Sequence, residues 1–171
     1  MRFLTVVRHA ESTPARVGEA DYDRALSARG RDQCAQLRAR AVDAGALGRF
    51  GPVTALVSGA ARTRETYELA FAGTPFAGHV QYSDQIYNGA RAVEAEDLLA
   101  ELAAIDPGTT SLLVIAHNPT VLDLVAEMAD PVPGKVRRGH FPTGAAYVLE
   151  LPDDRTVGLM RYPRVAKYVA D

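Results

Sequence analysis

The sequence predicts an α/β fold: a three-layer α/β/α sandwich with a mostly parallel central sheet and an antiparallel C-terminal hairpin. Short apolar runs rich in β-branched residues alternate with helical stretches. The first three runs are continuous, as in parallel sheets covered on both faces. The last two runs flank turn-forming residues. Because 171 residues is a usual length for one domain, we expect a single domain over residues 1–171.

Five segments are predicted to be strands. The last two are joined by Pro152-Asp153-Asp154-Arg155, whose turn-forming side chains predict a hairpin. The predicted strands are residues 3–8, 54–58, 111–116, 144–151 and 156–162.

Four helices are predicted between these strands. Ser27 is a favoured N-cap for the first helix, which extends to about Gly45. The third and fourth helices carry apolar side chains at helical spacing, which predicts one buried face on each. The three later helices are predicted over residues 61–72, 91–105 and 119–129.

Composition and charge exclude several functional classes. The net charge is −2, whereas nucleic-acid-binding domains are usually basic, so we expect no nucleic-acid partner. No apolar run is long enough for a signal peptide or a membrane span, so we expect a cytoplasmic protein without membrane association. Cys34 is the only cysteine, which excludes an intrachain disulfide, and it is expected to lie in the core. No coiled-coil pattern or exposed apolar stripe indicates an oligomer.

Two histidines and two arginines follow the first three predicted strands. The first strand ends at Arg8-His9, Arg62 comes four residues after Ser58 of the second, and His117 follows the third. Ligands of open α/β sheets bind at the carboxyl ends of the strands. If these strands are neighbours, the four side chains converge on one small volume.

Such a cluster suits a phosphoryl group. Guanidinium groups match phosphate oxygens with forked donors, and an imidazole can act as nucleophile, acid-base group or donor. No acidic residue or cysteine stands beside the four at a metal-ligand spacing, so we expect neither a metal ion nor another cofactor. Taken singly, each residue also has an ordinary structural explanation as a loop, surface or core side chain. Their shared position at the strand ends favours a site.

These residues resemble the signatures of the histidine phosphatase superfamily. Residues 4–11 (LTVVRHAE) are similar to its Arg-His-Gly/Ala block, and residues 58–66 (SGAARTRET) to the block with its second phosphate-binding arginine. Residues 114–119 (VIAHNP) resemble the block with the second histidine. Residues 21–33 and 141–145 most resemble the small SixA-type branch, which is associated with phosphohistidine phosphatases. The resemblance covers nearly the whole chain and implies a phosphoglycerate mutase-like fold.

The resemblance implies a role for each matching residue. His9 would attack phosphorus in line and carry a transient phosphoryl group. Arg8, Arg62 and His117 would bind the phosphoryl oxygens and stabilise the charge that develops on them, which agrees with the demands of phosphoryl transfer.

The sequence departs from the family at the general acid. Mutase-like members carry a glutamate at the position that aligns with Asn88, and acid phosphatases an aspartate at the position of Asn118. An asparagine cannot donate a proton as an acid. Asp84 is the remaining candidate proton donor, although aspartates in such stretches more often cap a helix or lie on the surface.

Three functions are compatible with these residues. Because imidazole leaves without strong acid assistance, a site without a dedicated acid favours a phosphatase that acts on phosphohistidine of a protein. The alternative is a broad small-molecule phosphomonoesterase of the same superfamily. The third is a binding module for phosphorylated ligands without turnover, which would not require the nucleophile His9.

Overall fold

The computed structural model describes residues 2–105, 108–128, 141–151 and 164–169. Within these residues, six strands form one sheet and four α-helices pack against it. The strands are β1 (Arg2–Arg8), β2 (Val53–Ser58), β3 (Ala77–Ser83), β4 (Ser111–Ala116), β5 (Ala146–Leu151) and β6 (Arg164–Val169). The helices are α1 (Ala28–Val42), α2 (Ala61–Ala70), α3 (Ala95–Ala103) and α4 (Thr120–Met128).

The strands lie in the order β3-β2-β4-β1-β5-β6. The first four of these are parallel, with Val6 of β1 opposite Val114 of β4 and Leu56 of β2 opposite the same residue. β5 pairs antiparallel with β1, and β6 antiparallel with β5. The mostly parallel sheet with an antiparallel C-terminal pair is therefore confirmed. Because β2, β4 and β1 are adjacent, the segments that follow them meet at one edge of the sheet.

Helices cover both faces of the sheet, as the continuous apolar strands predict. Leu4 and Val6 of β1 belong to one buried cluster, which includes the apolar side chains of α3 and α4. Val7 belongs to a second cluster, on the face covered by α1 and α2. Neighbouring strand residues point to opposite faces, so each strand contributes to both cores. Cys34 of α1 is fully buried in the second cluster, in agreement with its predicted core position.

Strand β3 was not among the predicted strands. It lies at the edge of the sheet, and most of its side chains are exposed or partly exposed. Gly78, His79 and Gln81 interrupt its apolar character, so the segment lacks the continuous apolar run of a central strand. The second hairpin strand lies at β6, whereas the predicted strand at 156–162 and the turn at 152–155 fall outside the described residues.

Local capping explains where two helices differ from prediction. The hydroxyl of Ser27 accepts from the N–H of Gly30 at 3.0 Å, which confirms the predicted N-cap of α1. That helix ends at Val42 rather than near Gly45, because the Asp43 side chain accepts from the Gly45 N–H and forms a turn. Helix α3 begins at Ala95 rather than at residue 91, after a capping box that Glu94 completes. Within the described residues, no helix has the length and apolar character needed to cross a lipid bilayer.

Candidate active site

A cavity of about 350 Å³ lies where β1 and β4 end and α2 begins. The four residues predicted to converge, Arg8, His9, Arg62 and His117, all line it. The full lining consists of these four together with Glu11, Ser12, Arg24, Asn88, Asn118 and Thr143. The position agrees with the rule that open α/β sheets bind ligands at the carboxyl ends of their strands.

The backbone fixes the tautomer of His9. The imidazole is buried, and its Nδ1 lies 2.7 Å from the carbonyl oxygen of Ala10. Since a carbonyl can only accept, the neutral ring carries its proton on Nδ1 and its lone pair on Nε2. The Ala10 N–H in turn donates to Thr66 Oγ1 of α2 at 3.0 Å, which holds the backbone of Ala10 in place. The ring is thus oriented with Nε2 available as a nucleophile.

The surroundings of His9 keep its imidazole neutral. Burial lowers its pKa most, and the positive charges of Arg62, Arg8 and Arg24 lower it further. The hydrogen bond to Ala10 opposes these effects, and the resulting pKa is about 4. Only the neutral ring has a lone pair for attack, so the reactive form persists well below the ordinary pKa of histidine.

The first expected result therefore concerns pH. The measurement is kcat/KM on p-nitrophenyl phosphate as a function of pH, corrected for the separately measured ionisation of the substrate. We expect the corrected kcat/KM to fall only as the pH approaches about 4. Protonation of His9 would remove the nucleophile there, and no such loss should occur near pH 6.5. A corrected profile with an acidic limb between pH 6 and 7 would contradict the neutral, buried state of His9.

His117 lies beside His9, with the two ring centroids 5.1 Å apart. Its Nε2 is 2.9 Å from Ser58 Oγ, and its Nδ1 is buried with no hydrogen-bond partner in the described part of the chain. Burial, followed by the nearby His9 and Arg62, lowers its pKa to about 2. If the Ser58 hydroxyl donates to Nε2, Nδ1 of the neutral ring carries a proton that it can donate to an anion.

Arg8 and Asn118 share one backbone acceptor. Arg8 Nη1 donates to the carbonyl oxygen of Phe141 at 2.8 Å, and Asn118 Nδ2 donates to the same oxygen at 3.1 Å. Burial lowers the pKa of Arg8 from its ordinary value. The Nε of Arg8 is buried and makes no hydrogen bond to the described residues. One side of the guanidinium is thus anchored while another donor stays uncommitted.

Arg62 is bound on one side by a carboxylate. It lies in the first turn of α2 and is only 4 % exposed. Its Nη1 donates to the backbone oxygen of Asp21 at 2.6 Å, and its Nη2 to Asp21 Oδ2 at 2.9 Å. Its Nε has no partner among the described residues. Burial raises the pKa of Asp21, but hydrogen bonds from Tyr87 and Arg62 and the charge of Arg62 outweigh it and lower the pKa to about 2.

Sequence reasoning missed three residues in and near the cavity. Arg24 adds a third guanidinium to the lining, and Glu11 contributes a carboxylate. Glu11 Oε1 accepts from Ser27 Oγ at 2.9 Å, and Oε2 lies 3.4 Å from Arg29 Nη1, so the carboxylate is already engaged. Asp21 makes the contacts to Arg62. All three lie in the segment between β1 and α1, where no helix or strand periodicity signals a site.

The residues considered for the general acid differ in position. Asn88 lines the cavity, but its Oδ1 accepts from the Val93 N–H at 2.7 Å and its Nδ2 donates to Thr120 Oγ1 at 2.8 Å. Asn118 also lines the cavity. Asp84 does not: it is exposed, begins a 3₁₀ helix, and accepts from the Tyr22 hydroxyl at 2.6 Å. The structure therefore does not bring Asp84 together with the four predicted site residues.

The lining is that of an oxyanion site. Three guanidinium groups and the His117 imidazole surround the His9 ring, and several of their nitrogen atoms lack partners in the described residues. Fixed donors of this kind are suited to binding a phosphoryl group and to stabilising the charge of its transfer. Among the described residues, no group of three or more histidine, cysteine, aspartate or glutamate side chains is arranged to hold a metal ion.

Comparisons with solved structures agree with this geometry. A protein assigned as phosphohistidine phosphatase SixA from Nakamurella multipartitia superposes with a TM-score of 0.77 and 25% identity, covering 99% of this chain and 95% of its own. A protein likewise assigned as SixA, from Agrobacterium tumefaciens, gives 0.77 and 26% over 99% of both chains. The protein histidine phosphatase SixA complexed with tungstate gives 0.73 and 20%, over 98% of this chain and 96% of that one, and supports the fold. Neither a protein-family model nor a curated protein sequence matches the chain.

Proposed function

We propose, from the premise that this chain is a phosphatase of the histidine phosphatase superfamily and of its SixA type, that it forms a transient phosphohistidine on His9 and hydrolyses phosphohistidine displayed on a protein. The observation that carries the proposal is the orientation of His9. Its Nδ1 proton is held by the Ala10 carbonyl, and its Nε2 makes no hydrogen bond within the described residues and belongs to a ring that lines a cavity with three guanidinium groups. A residue that only bound phosphate would not need a free lone pair.

The reaction proceeds in two displacements. In the first, the Nε2 lone pair of His9 forms a bond to phosphorus, and the bond from phosphorus to the leaving group breaks, with its electron pair moving to the leaving group. In the second, water attacks the phosphorus on His9, which releases inorganic phosphate and restores the imidazole. Arg8, Arg62 and His117 bind the equatorial oxygens in both steps, because their donors point at the charge that develops there.

The proposed substrate class depends on whether the leaving group needs a proton from the enzyme. Asn88 and Asn118 line the cavity at the positions where relatives carry an acid, and the carboxylate of Glu11 is engaged by Ser27 and Arg29. An alkoxide leaves slowly without a proton, whereas the imidazole of phosphohistidine leaves far more readily. The site is therefore better matched to a phosphoramidate than to an alkyl phosphate.

The surroundings of the cavity also favour a protein substrate. In the described residues between Gly73 and Ser111, the chain forms β3, a 3₁₀ helix and α3, all of them parts of the sandwich. No additional cap is built from these residues. A cavity at the carboxyl ends of the strands without such a cap can admit a histidine side chain that projects from a folded protein.

The second expected result is a rate series that tests this substrate class. We expect the highest rate on a protein that carries phosphohistidine, a measurable rate on p-nitrophenyl phosphate, and a rate on alkyl phosphates lower than on p-nitrophenyl phosphate by roughly 10²–10⁴-fold, the usual contribution of a general acid. Comparable rates on alkyl and nitrophenyl esters would favour the alternative, a broad small-molecule phosphomonoesterase. No turnover of any member of the series would indicate a binding module.

Two variants locate any acid that the series reveals. Asp84→Asn and Glu11→Gln each remove a carboxylate that could supply a proton. We expect both to retain the ratio of alkyl to nitrophenyl rates within about threefold, since neither group acts as the acid. A loss of more than about tenfold on alkyl esters alone, or about 1.4 kcal/mol of barrier, would identify that residue as the acid.

A further inference from the structure

Asp21 joins the two guanidinium groups that the loop after β1 and helix α2 bring to the cavity. We propose that Asp21 is a positioning residue, which orients Arg62 and Arg24 toward the phosphoryl group and is itself held by two crossed tyrosine–aspartate hydrogen bonds. This inference rests on the proposed function, in which Arg62 binds the transferred group. Asp21 itself is absent from the cavity lining, so it acts through the arginines rather than on the substrate.

Asp21 first binds Arg62 through two hydrogen bonds. Nη1 donates to the Asp21 backbone oxygen, and Nη2 donates to the Asp21 side chain. Two acceptors on one residue fix both the position and the plane of a guanidinium, which a single acceptor cannot do. The remaining N–H groups, including the Nε that has no partner in the part of the chain described, then have a defined direction.

The second contact holds Arg24. Its Nε donates to Asp21 Oδ1 at 2.9 Å, and its Nη2 lies 2.8 Å from the same oxygen. Its Nη1 donates to the backbone oxygen of Thr13 at 2.8 Å, so the side chain is held across its own loop. The two carboxylate oxygens of Asp21 are thus divided, Oδ1 to Arg24 and Oδ2 to Arg62. The negative charge of Asp21 lies between the positive charges of Arg24 and Arg62 and offsets their repulsion in the free protein.

Asp21 is in turn fixed by a pair of reciprocal hydrogen bonds, which we call the tyrosine–aspartate clasp. The hydroxyl of Tyr87 donates to Asp21 Oδ2 at 2.9 Å, and the hydroxyl of Tyr22 donates to Asp84 Oδ1 at 2.6 Å. The two tyrosine rings meet edge to face with centroids 4.9 Å apart. The clasp therefore joins the 3₁₀ helix at Asp21–Asp23 to the 3₁₀ helix at Asp84–Ile86 through two polar contacts and one aromatic contact.

The backbone leaves space for this clasp at Gly59. A Cβ atom built on Gly59 would overlap both Asp84 Oδ1 and the Tyr22 hydroxyl oxygen. Non-bonded atoms cannot approach so closely, so a side chain at this position would displace the clasp. Gly59 stands three residues before Arg62, and the clasp accordingly lies against the segment that leads into α2.

Asp21→Asn and Asp21→Ala distinguish positioning from simple charge. Removing a negative charge beside two arginines should by itself strengthen the binding of an anion. Removing a group that positions the arginines should instead weaken anion binding. The expected loss is roughly 10–100-fold, the usual effect of removing a residue that orients a binding group. We therefore expect the dissociation constants of inorganic phosphate and tungstate, measured by titration calorimetry on the full chain, to rise by this factor. Unchanged or tighter binding would overturn the proposal.

The matched control is Asp23→Asn, which removes the same charge from the same 3₁₀ helix. In the described part of the chain, Asp23 makes no side-chain hydrogen bond or ion pair, so anion binding should stay within about twofold of the wild type. Tyr22→Phe and Tyr87→Phe each remove one hydroxyl while keeping the ring, and each should weaken phosphate binding by roughly 2–10-fold. These mild variants keep the test decisive if Asp21→Ala does not fold.

The readout separates failure of this proposal from failure of the proposed function. In an Arg62→Ala background, Asp21→Ala should lose the part of its effect that passes through Arg62 and keep the part that passes through Arg24. An undiminished effect in that background would show that Asp21 does not act through Arg62. Anion affinity is measured without turnover, so the result holds even if the wild-type chain hydrolyses none of the substrates offered; that outcome would refute the phosphatase instead.

Discussion

His9→Ala is expected to abolish turnover of p-nitrophenyl phosphate and of phosphohistidine protein. The variant removes the side chain that attacks phosphorus in the first step of the proposed reaction, and the loss should be about 10⁶-fold, as for the nucleophile of an enzyme with a covalent intermediate. The fold should persist, because the helices and strands around His9 are held by two apolar clusters to which His9 does not belong. Rapid quench of the wild type with labelled substrate should trap one phosphate per chain in an acid-labile bond.

The trapping experiment has an internal control in the other histidines. His79 is exposed on the edge strand β3, so His79→Ala should retain both turnover and label. His117→Ala should lower the rate but leave His9 able to accept the phosphoryl group. A label found on any residue other than His9, or the absence of a covalent species under rapid quench, would show that the nucleophile assignment is wrong.

Arg62→Ala and Arg8→Ala are each expected to lower kcat by roughly 10²–10³-fold, the usual cost of removing one donor to a transition state. The loss should come from chemistry rather than unfolding. After Arg8→Ala, the Phe141 carbonyl still accepts from Asn118, and after Arg62→Ala, the side chain of Asp21 keeps its contacts with Arg24 and Tyr87. Lysine at either position should restore only part of the rate, because an ammonium cannot form the planar fork.

A surface arginine provides the comparison for these variants. Arg31 pairs with Glu65 at 3.1 Å on exposed parts of α1 and α2, and Arg31→Ala should leave kcat within about twofold of the wild type. Steady-state rates for all the variants should be read beside their thermal melting curves. Full activity in Arg8→Ala or Arg62→Ala would remove that arginine from the catalytic group.

The central strands of the fold could be predicted because buried strands are rich in apolar residues, which are visible in the sequence. β1, β2 and β4 are central strands covered on both faces, so most of their residues are apolar. β3 pairs on one side only, and its mixture of polar, apolar and glycine residues resembles a loop. Helix ends depended on single side-chain contacts, such as the turn that Asp43 forms, which propensity alone does not specify.

Some residues of the candidate site could likewise be predicted from the sequence, and others could not. Arg8, His9, Arg62 and His117 could be brought together from sequence because each lies at the end of a strand or within a few residues after it, and parallel strands align those ends. Asp21, Arg24 and Glu11 lie in the segment between β1 and α1, whose path is set by tertiary hydrogen bonds. The contact between Arg62 and Asp21 spans 41 residues, and that between Tyr87 and Asp21 spans 66. No local pattern encodes such contacts, so they became visible only in the folded chain.

The hydrogen bond between His9 and the Ala10 carbonyl bears on mutational robustness. In enzymes of the serine protease type, a side-chain carboxylate holds the imidazole tautomer, and one substitution there removes it. Here the acceptor is a main-chain oxygen, which every amino acid at position 10 would supply. The size of the side chain at position 10 still matters, since Ala10 is fully buried. A point mutation can remove His9 or displace its loop, but it cannot delete the carbonyl that orients the imidazole.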